Sequence, residues 1–340
     1  CYYVTLCELA KLNRDLYDLL TLFPHLKSNS ESAPAYLTTM AIRIYYMHKQ
    51  LKDTDSFYLH CDQTMSHYLK IVCDIIFGEK NYRNEIIWKR TSAGKPIYKN
   101  LPRNTDNIFW YTKTDTFIFH PLTEPLTQDD IVTFNLDDND GRGKYNTQPI
   151  INPGDRPNLK YNYVDKQGRI WKQPTNGWRF NEERMRKLES ENRLFISKNT
   201  IREKYYLNDR MNKGKQMSNI WTDIPITPKS EALGYPTQKP EALMERIISM
   251  ASNAGDVVAD FFCGCGTTIA VAQKLNRQWV GADISHLAIR LIKKRLVETY
   301  GRGIEHELKL HGMPKDIASA RELAQNVEGG RIGFQDWAIE

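Results

Sequence analysis

The stretch DFFCGCGTT, residues 260–268, holds two glycines one residue apart, preceded by an aspartate and two aromatic residues. The segment DVVADFF (256–262) has the β-branched and aromatic composition of a strand, and a helical pattern begins at Thr267. A strand that passes through a glycine turn into a helix leaves bare backbone and a helix N-terminus at the carboxyl edge of a sheet. This arrangement favours a nucleotide-like cofactor beside the turn.

The next predicted strand, QWVGAD (278–283), ends in Asp283, an acid that can accept hydrogen bonds from both hydroxyls of a ribose. Two cofactor classes compete for this geometry. A dinucleotide loop has a third glycine, but position 269 is isoleucine and Asp260 would face a pyrophosphate. S-adenosylmethionine has no phosphate and carries a positive sulfonium, so an acid at the head of the loop favours it over NAD.

Strands and helices alternate on both sides of this turn. Upstream, residues 36–50 have helical apolar spacing, and SFYLHC (56–61), EIIWK (85–89) and NIFWYT (107–112) have the composition of strands. Asp62 and Gly78 are expected to begin and end the helix between the first two strands. The alternation predicts an α/β fold with a parallel sheet covered on both faces. Residues 2–6, YYVTL, also have strand character.

An irregular segment from about residue 114 to 232 interrupts this pattern. Residues 141–220 hold 18 Lys and Arg against eight Asp and Glu, a surplus of ten in a chain of net charge +6. Basic groups interleaved with aromatic side chains are typical of surfaces that bind phosphates and unpaired bases. The aromatic side chains of this segment are Tyr145, Tyr161, Tyr163, Trp171, Trp178, Phe180, Tyr205 and Tyr206. About half of these eight are expected to form the segment's own core.

Other signals exclude several classes of protein. The six cysteines show neither a disulfide framework nor the spacing of a metal site, so we expect free thiols and no metal. No apolar run is long enough for a membrane span and the first 30 residues lack a secretion signal, so we expect a cytoplasmic protein without a membrane partner. Arg290, Lys293, Lys294 and Arg295 are expected on the outer face of an amphipathic helix.

The motif D-x-F-x-G-x-G at 260–266, preceded by GYPTQKP (234–240), resembles the DNA amino-methyltransferases of the N6-adenine/N4-cytosine group. The order matches their permuted form, in which the catalytic half precedes the cofactor half, as in modification subunits of restriction-modification systems. LKDTDSFYLHCD (51–62) and RNEIIWKR (83–90) are similar to strands of that group's catalytic half. The resemblance implies a Rossmann-like S-adenosylmethionine-dependent methyltransferase sheet with a target-recognition insert.

The same resemblance implies a set of cofactor-binding residues. Thr237, Lys239 and Pro240 would lie by the methionine end of the cofactor, and Asp283 would hold the ribose. The loop would be formed by Asp260, Phe261, Phe262, Gly264, Gly266 and Thr267. The implied domains are the catalytic half (1–120, incomplete at its N-terminus), the insert (121–232), the cofactor half (233–312) and the start of a C-terminal extension (313–340).

The catalytic loop of this group is absent from the sequence. That loop reads Asp/Asn/Ser-Pro-Pro-aromatic and accepts the hydrogen bonds of the target amine, but none of the 15 prolines here is adjacent to another. We interpret the chain as a fragment in preference to a degenerate member, and we assign no catalytic residue.

Three functions therefore stay open from the sequence. The favoured one transfers methyl from S-adenosylmethionine to the exocyclic amine of adenine in double-stranded DNA, with cytosine as the less favoured alternative target base. A homodimer or a restriction subunit would be its protein partner. The second is an inactive DNA-binding or specificity protein of the same fold, and the third is a small-molecule or RNA methyltransferase. The recognised DNA site is not encoded in any motif found here.

Overall fold

The computed structural model describes residues 2–26, 32–91, 99 and 101–312. The chain divides into two compact units, the first formed by Cys1–His120 with Ser218–Glu340 and the second by Pro121–Met217. Unit 2 is thus a continuous insertion in the sequence of unit 1. The expected C-terminal extension, residues 313–340, lies outside the described residues.

Unit 1 begins with helices, so the strand expected at residues 2–6 was wrong. These residues belong to α1, in which Leu6 and Leu9 are buried at helical spacing. Tertiary packing has overridden the β-preference of Tyr, Val and Thr. The first four helices are α1 (Tyr2–Leu12), α2 (Arg14–Leu26), α3 (Ser32–Gln50) and α4 (Ser66–Phe77).

The main sheet of unit 1 has the order β1-β3-β2-β11. Its strands are β1 (Ser56–Cys61), β2 (Tyr82–Lys89), β3 (Thr105–Thr112) and β11 (Ile220–Trp221). β3 runs antiparallel to both neighbours, which corrects the expectation of a parallel sheet. β1 and β2 still point the same way, as a strand-helix-strand unit through α4 requires. Seven of the eight residues of β3 are buried, so this most apolar strand takes the central position.

The start of α4 also differs from expectation. Met65, rather than Asp62, is the N-cap residue, and no side chain caps the helix. Asp62 instead accepts the amide hydrogens of Thr64 and Met65 in the turn before the helix. Gly78 ends α4 with a φ of +82°, as the sequence predicts.

The second part of unit 1 is a parallel β-α-β arrangement. β12 pairs with β13 from Val257↔Gln278 to Asp260↔Gly281, and α9 connects the two strands. Ser285 caps α10 by accepting the amide of Ala288. The elements are α8 (Glu241–Ala251), β12 (Val257–Asp260), α9 (Thr267–Lys274), β13 (Gln278–Gly281) and α10 (His286–Tyr300).

Unit 2 contains short elements around a three-stranded antiparallel sheet, β5-β9-β8. Two further pairs, β4 with β10 and β6 with β7, are only two residues long. Its strands are β4 (Thr123–Glu124), β5 (Tyr145–Pro149), β6 (Tyr163–Val164), β7 (Ile170–Trp171), β8 (Leu194–Ile196), β9 (Ile201–Tyr206) and β10 (Lys215–Gln216). Its helices are α5 (Gln128–Val132), α6 (Glu182–Ser190) and α7 (Leu207–Lys213).

Aromatic side chains supply much of the core of unit 2. Five of the eight that the sequence singled out are buried. Three of these five belong to one apolar cluster, against which Tyr161 and Phe180 also pack. Trp178 donates its indole hydrogen to the Tyr161 carbonyl (2.7 Å). A side chain held in this way presents no face to a base, so stacking on DNA is not the role of the buried five. They are Tyr145, Tyr163, Trp171, Trp178 and Tyr206.

Candidate cofactor site

The glycine turn connects β12 to α9, and both glycines are required by its geometry. Gly264 and Gly266 have φ values of +50° and +76°, in the left-handed region that side chains disfavour. A Cβ on Gly264 would lie 2.9 Å from the ring of Tyr235, and one on Gly266 would collide with Ile292. The turn therefore approaches its neighbours more closely than any other residue type permits.

Asp283 closes this turn from the end of β13. One carboxylate oxygen accepts the amide hydrogen of Gly264 (2.9 Å) and the other accepts that of Ser285 (2.9 Å). A carboxylate oxygen has two lone pairs, so each oxygen keeps one acceptor position. The acid thus lies directly at the bend and can still accept two hydroxyl groups.

Asp260 lies at the head of the same turn and is tied to it. Its carboxylate accepts the amide hydrogen of Phe262 (3.0 Å) and the hydroxyl hydrogen of Thr268 (2.6 Å). Two carboxylates therefore flank the bend. Burial and then the charges of Asp260 and Asp283 raise the pKa of the Cys263 thiol to about 12, so this cysteine is a protonated core residue.

The GYPTQKP segment meets the turn at the starts of two helices. Thr267, the first residue of α9, donates its hydroxyl hydrogen to the carbonyl of Lys239 (3.2 Å). The Lys239 ammonium donates to the Thr237 carbonyl (3.0 Å), and Pro240 is the N-cap of α8. The structure thus brings the two sequence motifs, which are about 20 residues apart, into contact.

Arg295 holds this junction together, contrary to its expected place on an outer helix face. It is buried, pairs with Glu241 at the start of α8 (2.5 Å) and donates to the hydroxyl of Thr267 (3.4 Å). The helical pattern of α10 did not distinguish this arginine from its less buried neighbours Lys293 and Lys294. Only the packing of α10 against α8 and α9 does so.

Large apolar side chains beside the turn are open to solvent. Phe261 and Phe262 are 38% and 48% exposed, and Ile284, which directly follows Asp283, is 98% exposed. The Arg43 guanidinium of α3 lies 5.7 Å from the ring centre of Phe262. Exposed apolar groups clustered at one edge indicate a surface that a ligand covers. Sequence reasoning missed Ile284, although an isoleucine after a strand-ending acid was a usable signal.

In the part of the chain that the structure describes, no group of three His, Cys, Asp or Glu side chains is placed to hold a metal ion. Five of the cysteines, all but Cys1, are free. Within the same residues no helix is long and apolar enough to cross a membrane.

A family model described as DNA methylase, N6_N4_Mtase, matches residues 25–294. The chain belongs to this DNA methylase family. The match includes β1 to β3 as well as the glycine turn and Asp283, so it covers both parts of unit 1. The resemblance seen in the sequence motifs is thereby confirmed, and with it the methyltransferase fold class.

Individual relatives of this chain share limited sequence identity with it. Type II methyltransferase M.EcaI of Enterobacter cloacae is 30% identical over 269 residues, which are 77% of this chain and 57% of that protein. The Mod subunit of the type III restriction-modification enzyme StyLTI of Salmonella typhimurium is 26% identical over 257 residues, 72% of this chain and 39% of that subunit. The chain spans about half the length of the curated relatives it matches.

Among solved structures, the complex of M1.HpyAVI with SAM shares 17% identity and a TM-score of 0.42 with this DNA methylase chain. The alignment covers 76% of this chain and 82% of that one.

Proposed function

We propose that this DNA methylase chain binds S-adenosylmethionine at the 260–285 edge and duplex DNA through unit 2. The reaction it serves is methyl transfer to an exocyclic amine of adenine or cytosine, within a restriction-modification system. Family membership supports the reaction class. The single observation that supports the site is the Asp283 carboxylate. It accepts the amide hydrogen of Gly264 and keeps a free acceptor position on each oxygen.

Each half of the cofactor has a complementary partner at this edge. The ribose hydroxyls fit the free acceptor positions of Asp283, and the adenine ring would cover the exposed Ile284. The positive sulfonium would lie beside Asp260, because opposite charges a few ångströms apart attract. The methionine end would extend toward Thr237 and Lys239. The Lys239 carbonyl accepts the hydroxyl hydrogen of Thr267 at the start of α9, and the Lys239 ammonium donates to the Thr237 carbonyl. Pro240 fixes the beginning of α8 there.

Calorimetric titration of S-adenosylmethionine tests this site. Ile284→Ala should weaken binding about fivefold, because an isoleucine truncated at a ligand contact loses roughly 1 kcal/mol of apolar burial. Ile170→Ala in unit 2 is the matched control, since that isoleucine is 64% exposed and should leave affinity unchanged. Asp283→Ala should weaken binding at least tenfold. Equal affinity in all four proteins would refute the site.

The charges of unit 2 indicate which cations are available to DNA. Lys204 is buried and paired with Asp138, Arg142 pairs with Asp140, and Arg186 pairs with Glu182. In contrast, Arg156, Lys172 and Arg179 are exposed and form no ion pair within the described residues. Paired cations are neutralised already, so the unpaired ones carry the electrostatic attraction for phosphates.

Two of these cations sit on a rigid loop pair, residues 150–160 and 173–180. The Arg156 amide donates to the Asn176 carbonyl (3.0 Å), and the Arg179 amide donates to the Ile150 carbonyl (2.7 Å). Gly177 lets the loops approach, since a Cβ there would lie 2.7 Å from the Arg156 carbonyl oxygen. Arg156 and Arg179 are therefore exposed side chains on a backbone held by hydrogen bonds, and the Arg179 guanidinium also donates to the Pro149 carbonyl (3.2 Å). Such held cations suit contact with phosphates or base edges.

Duplex binding measured against salt concentration tests this surface. The double variant Arg156→Ala/Arg179→Ala should lower the affinity and reduce the slope of log K against log salt by about one unit for each lost phosphate contact. Arg186→Ala is the control, because its charge is already paired. A slope that falls equally in the control would show that only the net charge of the unit matters.

The inactive DNA-binding protein is kept as a second candidate because no two prolines are adjacent in the sequence. Transfer of labelled methyl groups to duplex DNA separates the two functions. A second copy or a restriction subunit as partner, adenine as the target base and a cytoplasmic location remain parts of the proposal. The location follows from the two substrates, DNA and S-adenosylmethionine.

A further inference from the structure

The β6–β7 hairpin of unit 2, residues 163–171, presents an apolar pair to solvent. In its antiparallel register Tyr163 lies opposite Trp171 and Val164 lies opposite Ile170. Successive side chains of a strand point to opposite faces of the sheet. Tyr163 and Trp171 are accordingly buried, whereas Val164 and Ile170 are 41% and 64% exposed. Two adjacent β-branched side chains therefore form the outward face of the hairpin.

The turn of this hairpin is fixed by the buried Asp165. Its carboxylate accepts the amide hydrogens of Gln167 (3.0 Å) and Arg169 (2.9 Å) and the indole hydrogen of Trp171 (2.9 Å). The Asp165 carbonyl accepts the amide hydrogen of Gly168, whose φ of +81° suits the left-handed position of a short hairpin loop. The outward face is thus held in place before any ligand binds, which lowers the entropy cost of binding.

Arg169 attaches the hairpin to a neighbouring loop. Its guanidinium lies 4.3 Å from the ring centre of Trp171 and donates to the carbonyls of Ser197 (3.1 Å) and Lys198. This arginine is therefore occupied within unit 2, and its contacts hold Lys198 beside the hairpin.

The surface around the apolar pair is basic. Lys166 in the turn, Lys172 directly after β7 and Lys198 are exposed, and none of them forms an ion pair within the described residues. The Lys166 ammonium contacts only the Glu189 carbonyl (3.5 Å). The nearby Glu189 carboxylate instead accepts the Tyr163 hydroxyl hydrogen (2.9 Å) and the Lys166 amide hydrogen (2.8 Å). An apolar pair among available cations is complementary to a partner that combines apolar groups with phosphates.

We propose that the outward face of hairpin 163–171 enters the major groove of duplex DNA, where Val164 and Ile170 contact the methyl groups of thymine. This inference rests on the proposed function, duplex binding through unit 2, and adds a sequence-reading element to it. The major groove is about 12 Å wide and admits a two-stranded ribbon, whose strands are about 5 Å apart. Thymine presents a methyl group in that groove, which apolar side chains can contact. The three lysines would face the flanking phosphates, which position the ribbon without reading sequence.

The test begins with a pool of duplexes that have a randomised centre, from which the unaltered chain selects a bound sequence. Val164→Ala/Ile170→Ala should bind the selected duplex about tenfold more weakly, because two apolar contacts with base edges are lost. Its affinity for the unselected pool should stay within about twofold of that of the unaltered chain, since the phosphate contacts remain. Val132→Ala/Met211→Ala is the matched control, because both side chains are exposed apolar groups on other elements of unit 2, α5 and α7. Both double variants should keep the melting temperature of the unaltered chain.

Replacing thymine by deoxyuridine in the selected duplex tests the contact itself, because this change removes only the methyl groups. The unaltered chain should bind the deoxyuridine duplex about fivefold more weakly, and Val164→Ala/Ile170→Ala should lose little further affinity, since groups in contact give non-additive losses. Equal affinity of the unaltered chain for the two duplexes overturns the inference. Additive losses, or a selected sequence without any A·T pair, overturn it as well.

The outcomes separate this inference from the proposed function. If the unaltered chain binds no duplex of the pool, both fail. If it binds duplex DNA but Val164→Ala/Ile170→Ala behaves like the control variant on the selected sequence, only the reading by the hairpin fails. Lys166→Ala should weaken binding to selected and unselected duplexes in the same proportion, because a phosphate contact is independent of sequence.

Discussion

Two regions of the chain use charged and aromatic residues in opposite ways. At the 260–285 edge, Asp260 and Asp283 bind backbone amides while Phe261, Phe262 and Ile284 stay exposed. In unit 2 the acids pair with Lys204, Arg142 and Arg186, and the aromatic rings form the core. Acidic and aromatic residues therefore indicate binding only where the fold leaves them exposed or with free hydrogen-bond positions.

The largest expected effect tests whether the aromatic side chains of unit 2 form its core and do not contact DNA. Trp178→Ala should lower the free energy of unfolding of this unit by about 3–5 kcal/mol, the usual result of removing a buried aromatic side chain. Trp178→Phe should cost less and leave duplex affinity unchanged, because the ring is only 3% exposed. Urea denaturation followed by tryptophan fluorescence measures the first, and a duplex titration measures the second. Loss of duplex binding in Trp178→Phe with intact stability would reverse the assignment.

The next effect concerns the glycine turn. Gly266→Ala should destabilise unit 1 by about 3 kcal/mol, because it combines a left-handed backbone with a collision against Ile292. Gly255→Ala is the matched control, since its φ is +86° but a Cβ there meets nothing within 4 Å. That variant should lose only about 1 kcal/mol, the backbone cost alone. Equal losses, measured by urea denaturation, would show that the turn has room and that the close approach to α10 is unimportant.

The smallest effect is a difference between the two units in how their stability depends on pH. Burial, followed by the charges of Lys113 and Lys49, lowers the pKa of His48 in α3 to about 4. The stability that depends on neutral His48 is complete above pH 6.5 and is lost as the pH falls from 6.5 to 4, because the unfolded chain takes up the proton first. With allowance for solvent screening at this half-buried site, the loss is roughly 1 kcal/mol.

In unit 2 the shifted acids behave differently. Burial would raise the pKa of Asp138, but the hydrogen bonds from Lys204 and Tyr145 lower it, so that its contribution persists below the normal carboxyl pKa. Unit 1 should therefore weaken before unit 2 on acidification, as hydrogen exchange at a series of pH values would report. His48→Gln should remove the early loss, whereas His67→Gln, on the exposed face of α4, should not. Simultaneous weakening in both histidine variants would contradict this order.

The features that depend on local conformation could be predicted from the amino-acid sequence. Apolar spacing placed α3 and α4, β-branched and aromatic runs placed β1, β2 and β3, and the glycine pair placed the turn before α9. These predictions held because backbone preference and side-chain period act within a few residues. The contact of Asp283 with the bend also followed, since parallel strands end at the same sheet edge.

In contrast, which side chains are paired or buried and which are free depends on tertiary packing. Tertiary packing placed β3 between β1 and β2, turned residues 2–6 into a helix, buried Arg295 beside Thr267 and brought His60, Arg90 and Asp106 together at one edge. It also buried aromatic rings of unit 2 in a core. Burial and pairing depend on neighbours that are distant along the chain, and a sequence pattern contains no record of those distances.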